Sequence, residues 1–450
     1  MTEPHPGHQA TDPVERAGAG LAPDRQVAGV DEESRTGWFG GARFGMFVHW
    51  GHRSTRGGDL SWPLVGGAGD VLPHAHPVAA AEYHAGALDF CPQPGAARGW
   101  MALARRAGMR YAVLTAMHHD GFALWPTEQT DWSIAVTPYG GDLVAEFVDA
   151  ARAEGLRVGL YFSLSDWHHP DYPAFRDEDR PYFFRYLGRR SSAEGWQRYL
   201  GVLFGQVEEL LTRYGPIDLL WFDGQWERSR DEWRAAELAA HVRALQPGVV
   251  INDRLPGEGD FDTPEQALPS STPGRAWETC MTMNRSWGWC PDDTDYKGAR
   301  ELTHALCEVA GRGGNLLLNV GPRADGSLPE EQVIRLERIA RWTTANGEAI
   351  HGTQPGLEPW QFYGPTTGAG ERIFLHLLYR PYETVTVRGL ALDQVRSVRH
   401  LATRRELDWT PDAPVQALMA GGAVGQAVIR VPAELVDDLA TVIEIVLRPG

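Results

Sequence analysis

The chain has 450 residues, enough for an α/β barrel and one smaller domain, and its 43% hydrophobic and 22% charged residues are those of a folded globular protein. Its 42 Lys and Arg stand against 59 Asp and Glu, a formal charge of -17 that repels phosphate backbones and anionic bilayers and argues against nucleic-acid or membrane partners. The four cysteines, Cys91, Cys280, Cys290 and Cys307, form no CxxC pair, so neither a disulfide scaffold nor a zinc knuckle is expected.

Residues 1–37 are Gly, Pro and Ala with scattered charge, too poor in apolar surface to order themselves, and are expected to form a flexible tail. They hold no apolar run of secretory length, and no stretch of the chain approaches the ~20 apolar residues of a membrane span, so a cytoplasmic location is expected. From there short apolar runs alternate with segments of helical period. Strands are predicted at 43–50, 110–116, 157–163, 216–223, 248–253, 276–282 and 315–320, and helices at 96–108, 142–155, 196–214, 231–245 and 299–311. The helix that carries Trp196, Tyr199, Leu203, Val207, Leu210 and Tyr214 on one stripe stops at Gly215-Pro216, a left-handed cap followed by a residue that cannot continue it. Alternating strand and helix indicate a parallel sheet with crossover helices, and seven strands approach the eight of a (β/α)8 barrel. After a helix at 329–350 the runs become half-exposed and alternating, as in RIFLHLLY and ATVIEIVL. This places a boundary near 354, with a catalytic domain over 38–353 and a small antiparallel β-sandwich over 354–450.

In a barrel of this kind chemistry sits at the carboxyl ends of the strands. Nearly every predicted strand here ends in polar residues: His49; His118, His119 and Asp120; Asp166; Asp223; and Asn252 to Arg254. Asp223 in LLWFDGQW is the strongest signal. An isolated Asp before Gly is more often a turn former, but the convergence of His, Arg and Trp reverses that reading. His118 and His119 could ligate a metal, yet neighbours on a strand point to opposite faces, so no metal is expected; past a bend in the strand both can serve sugar hydroxyls instead. Alone, His49 reads as a satisfied core histidine. Seventeen Trp are many for this length, and Trp50, Trp62, Trp125, Trp167, Trp226 and Trp287 are among those near the same rim. About half are expected to be barrel packing, with Trp226 the best candidate for stacking on a sugar.

The segments ARFGMFVHWG, TAMHHDGFALWPT, GLYFSLSDWHHPDY, LLWFDGQW, INDRL, TPEQ, WETCMTMNRSWGW and GRGGNLLLNVGPRADGSLP together resemble the α-L-fucosidases of glycoside hydrolase family 29, over roughly residues 38–353. The resemblance implies a distorted (β/α)8 barrel without a cofactor that hydrolyses terminal α-L-fucosides of glycans or glycosides with retention, through a covalent intermediate on Asp223. It implies fucose contacts from His49, His118, His119, Tyr161, Trp226 and Arg254, with Trp62 at the rim. Two positions depart from the family. Met117 stands where Lys or a polar residue is usual, and Ser61 precedes Trp62 where a Glu that contacts sugar hydroxyls is usual, with Asp59 a possible substitute. A related glycone such as a galactoside, or a non-catalytic carbohydrate-binding protein, are the alternatives.

A retaining glycosidase also needs a proton donor about 5 to 5.5 Å from its nucleophile. Glu265, on the loop after the NDR strand, and Glu278, within the next strand, are both available, and the family resemblance does not choose between them. Glu278 is preferred on the ground that a strand holds a carboxyl more rigidly than a loop does.

Overall fold

The computed structural model describes residues 32–66, 71–172, 191–420 and 423–449, so most of the tail expected from the sequence lies outside the described residues. Residues 32–37 open the first helix, α1 (Glu32–Ala42), which is anchored by Phe39 against Phe261 and Tyr111 at ring-centroid distances of 4.3 and 6.0 Å. Then follow β1 (Phe44–Val48), α2 (Ala80–Ala85), α3 (Ala96–Arg106), β2 (Tyr111–Met117), α4 (Leu143–Ala153), β3 (Arg157–Ser163), α5 (Ala193–Thr212), β4 (Leu219–Asp223), α6 (Ala235–Leu245), β5 (Val250–Ile251), β6 (Glu278–Thr282), α7 (Ala299–Gly311), β7 (Asn315–Val320) and α8 (Glu330–Asn346). Helix α5 ends at Thr212, a little before the Gly215 stop expected from the sequence, and Gly215 takes the left-handed φ of 68° that an L side chain resists.

The seven strands form one parallel sheet in the order β5-β4-β3-β2-β1-β7-β6. Every residue of β1, β2, β4, β6 and β7 is buried. Both faces of the sheet are covered, which is why these strands read as continuous apolar runs.

The two edge strands, β5 and β6, do not pair with each other. Between them runs the extended segment 260–266, which donates from Asp260 N to Ile251 O (2.7 Å) and accepts at Phe261 O from Asp253 N (2.9 Å). On its other side Glu278 N donates to Asp262 O (2.9 Å), Cys280 N to Pro264 O (3.2 Å) and Gln266 N to Cys280 O (2.9 Å). It is parallel to both neighbours and fills the eighth position of a distorted (β/α)8 barrel, reached from β5 through turns alone. At its base Arg35 of α1 and Arg243 of α6 both bind Asp260, at 2.7 and 2.9 Å.

Past α8 the strands β8 (Gln354–Pro355), β9 (Thr366–Ala369), β10 (Arg372–Leu377), β11 (Thr384–Ala391), β12 (Val395–His400), β13 (Trp409–Asp412), β14 (Val424–Arg430) and β15 (Thr441–Leu447), with helix α9 (Val415–Ala420), make an antiparallel sandwich. Its sheets run β12-β15-β10-β9-β8 and β11-β14-β13. Leu375, Val387, Ile429, Ile443 and Ile445 form its own core, while Phe374, Leu401, Ala440 and Val442 pack into the core of the barrel. No helix among the described residues is long and apolar enough to cross a membrane.

Candidate active site

The parallel sheet delivers the carboxyl ends of its strands to one mouth, and the polar residues that terminate the apolar runs meet there. Asp223 is the last residue of β4, in register with Ser163 at the end of β3. His49 follows β1 and still donates its backbone N–H to Val320 O. After β2 the chain bends: Gly121 N closes a turn on His118 O (3.0 Å) and Gly121 takes φ 69°. That bend brings the adjacent His118 and His119 to one side, their rings 4.2 Å apart, where a continued strand would have parted them. Arg254 follows β5, and Glu265 comes from the segment in the eighth position.

These residues line a pocket of about 580 Å³, its open mouth included, with Phe47, Trp221 and Cys280 also in its wall. Tyr161 Oη donates to Asp223 Oδ2 (2.8 Å), and Arg254 donates to Asp223 Oδ1 (2.8 Å). The other terminal nitrogen of the same guanidinium donates to Glu265 Oε2 (2.6 Å), so one planar fork bridges both carboxyl groups. Thr263 Oγ1 accepts from Arg254 Nε (3.2 Å), and the guanidinium lies 4.6 Å from the Trp221 ring, which fixes its plane.

Burial alone would raise the pKa of Asp223. The charge of Arg254, the nearby His119 and the hydrogen bonds from Arg254 and Tyr161 outweigh it and hold the carboxyl at about 2. It is therefore an anion throughout the physiological range. The histidines move the other way, because burial disfavours the imidazolium: His49 and His118 fall to about 3 and His119 to about 4. The pocket thus presents neutral imidazoles around one fixed carboxylate, a wall of hydrogen-bonding groups suited to a neutral polyhydroxylated ligand.

Glu278, preferred from the sequence as proton donor, does not line this pocket. It is fully buried at the start of β6, where it accepts from Trp221 Nε1 (3.0 Å) and from Tyr111 Oη. Burial raises its pKa to about 7. Glu265 lies on a paired extended segment rather than a free loop, and its bridge partner is Cys280 of β6.

The tryptophans divide. Trp62 and Trp226 face each other at the mouth, 6.3 Å apart and within 16° of parallel, and Trp287 lies 4.8 Å from His49. Trp167 backs Trp62 at 5.6 Å. Trp50 and Trp125 are barrel packing, their indole N–H groups donating to Arg323 O and Glu209 Oε2. Neither Ser61 nor Asp59 reaches the pocket. Ser61 sits behind His118, and Asp59 accepts from the backbone N–H groups of Leu60, Trp287 and Gly288, holding the loop after β6. Buttressing groups that the sequence reading missed are Ser163 against His119 (2.7 Å) and Asn319 against His49 (2.7 Å). Both lie at or near the end of an apolar strand run, the signal that found their partners.

Residues 22–348 match the family model described as Alpha-L-fucosidase. The tissue alpha-L-fucosidase of Mus musculus is 29% identical over 426 residues, covering 89% of this chain and 90% of its own. The alpha-L-fucosidase of Dictyostelium discoideum is 30% identical over 351 residues, 72% of this chain and 73% of its own. Among solved structures, alpha-L-fucosidase isoenzyme 1 from Paenibacillus thiaminolyticus superimposes with a TM-score of 0.80 at 36% identity, covering 93% of this chain and 100% of that one. A Bacteroides thetaiotaomicron alpha-L-fucosidase, trapped as a covalent intermediate with 2-fluoro-fucosyl fluoride by means of a Glu-to-Gln variant, superimposes at 0.78 with 26% identity, over 96% of this chain and 99% of that one.

Proposed function

The chain belongs to the α-L-fucosidase family, and we propose that it releases terminal α-L-fucose by double displacement, with Asp223 as nucleophile and Glu265 as acid and base. The observation that carries this reading is the pair of carboxyl groups joined through Arg254, one of them buried and held ionised, inside a pocket lined by His49, His118 and His119. An ionised oxygen is what attack on an anomeric carbon requires, and Arg254 and Tyr161 keep it both charged and aimed. In the first step Asp223 forms a bond to the anomeric carbon as the glycosidic C–O bond breaks, and Glu265 gives its proton to the departing oxygen. In the second, Glu265 takes a proton from water as that water's oxygen displaces Asp223, so configuration is retained overall. The covalent intermediate trapped in the Bacteroides relative supports this order of events.

His49, His118 and His119 bind glycone hydroxyls, and Trp62 and Trp226 flank the ring or its first aglycone unit. A pocket walled in part by the buried Phe47 and Trp221 accepts a chain end, which makes the action exo. The test is the purified protein against a panel of nitrophenyl glycosides, with Asp223→Ala beside it. Hydrolysis of the α-L-fucoside above all others is expected, falling at least ~10³-fold in kcat in the variant. A better rate on a galactoside, or more than a tenth of the turnover kept without Asp223, overturns the substrate or the nucleophile respectively.

A further inference from the structure

Ser61 is fully buried, has a φ of 54°, and is enclosed by groups that fix what its hydroxyl does. Asp120 N–H donates to Ser61 Oγ at 2.8 Å, so one lone pair is used by a donor that cannot reverse. The remaining partner is His118 Nδ1, at 2.6 Å. A buried hydroxyl proton needs an acceptor, and among the described residues this ring nitrogen is the one within reach, so Ser61 donates to it. His118 Nδ1 is then bare and its proton sits on Nε2.

His49 is set the opposite way. Asn319 Nδ2 donates to Trp287 O (2.7 Å), which turns Asn319 Oδ1 toward His49 Nδ1 (2.7 Å). A carbonyl oxygen only accepts, so His49 carries its proton on Nδ1 and offers a bare Nε2. Both rings line the pocket, 5.8 Å apart between centroids. Burial keeps both neutral, so tautomer rather than charge sets what each presents.

We propose that Ser61 is a positioning residue that fixes His118 as a hydrogen-bond donor opposite His49 as an acceptor, so that this wall selects a sugar hydroxyl. The selection follows from valence. A hydroxyl can accept from His118 and donate to His49 at once, whereas a fluorine or an ether at the same ring position can only accept. The selectivity part rests on the fucoside reading of the pocket; the tautomers do not.

The test uses the full chain labelled with 15N-histidine, long-range 1H–15N spectra reporting which nitrogen of each ring is protonated, with His49→Asn and His118→Asn supplying the assignments. The expected result is a bare Nδ1 on His118 and a protonated Nδ1 on His49. Inhibition constants for L-fucose and its deoxy and deoxyfluoro analogues are then compared in the wild type, Ser61→Ala and Ser61→Asn. Ser61→Ala should convert His118 to a tautomer mixture, weaken L-fucose about tenfold, and narrow the gap between hydroxyl and fluorine at one ring position. Ser61→Asn should restore part of both, because Asn tolerates positive φ and its amide can donate to Nδ1 while accepting from Asp120 N–H. A protonated Nδ1 on wild-type His118 overturns the proposal even if neither variant folds. So does weaker binding in Ser61→Ala with the tautomer unchanged, which would make the role of Ser61 merely structural. Tautomers as expected in a protein that L-fucose does not inhibit would uphold the assignment and sink the fucoside reading alone.

Discussion

Arg254 places one positive charge between two carboxyl groups, and kinetics can separate the tasks proposed for them. A proton donor matters only as much as the leaving group needs protonation: a nitrophenolate departs unaided, a sugar alkoxide does not. Glu265→Ala should therefore slow hydrolysis of a fucosyl disaccharide by about 10²- to 10⁴-fold, while an aryl fucoside gives a burst followed by slow turnover. Azide, which needs no deprotonation, should restore that turnover and yield fucosyl azide of retained configuration. The same signature in Glu278→Ala, and not in Glu265→Ala, would return the role to the strand residue. At this scale the sequence was informative about which side chains face the mouth, because a polar residue ending an apolar strand has one place to go in a barrel. It was silent about what stands behind them. Ser61 and His118 are 57 positions apart and Asn319 and His49 are 270 apart, and no local pattern encodes such pairings.

Strand β6 carries a buried titratable group outside the pocket. Glu278 joins β6 to β2 and β4 through Tyr111 and Trp221, and Trp221 in turn underlies Arg254 and stacks on Tyr161 at 5.5 Å. Its folded pKa of about 7 lies above the ordinary 4.5, so between these values the folded state binds the extra proton. The stabilisation is present in full below pH 4.5 and is lost as pH rises through 7, by about 3 kcal/mol. In Glu278→Gln the loss is absent. Melting temperatures measured from pH 4.5 to 7.5 should show the wild type losing ground steadily to the variant, and parallel curves would contradict a buried, proton-binding Glu278. Seven strands of the sheet were legible in the sequence because burial on both faces demands unbroken apolar runs. The eighth was not, since FDTPEQ is polar and interrupted by Pro264. Its extended form is set by neighbours on both sides rather than by its own composition, and that is why Glu265 read as a loop residue.

Barrel and sandwich share apolar contacts as well as a chain. Trp342 Nε1 of α8 donates to Ala440 O (2.7 Å), His304 of α7 meets Leu439 O at 2.8 Å, and β15 alternates between the two cores, with Val442 toward the barrel and Ile443 toward the sandwich. An interface of this kind is a continuation of the core rather than a contact between independent bodies. Calorimetry should accordingly give one unfolding transition with the van't Hoff and calorimetric enthalpies in agreement, and Trp342→Phe should lower its midpoint without splitting it. Two separable transitions would show that the sandwich folds apart from the barrel.

The helix-free eighth position leaves the two carboxyl groups differently anchored. Asp223 belongs to a sheet whose register is locked by neighbours on both sides, so its place is set by the fold. The second carboxyl group rides on a segment joined by turns and a handful of backbone bonds, where lengthening or shortening the connection re-registers nothing else. A change in the length of that connection would therefore move Glu265 while leaving Asp223 in place.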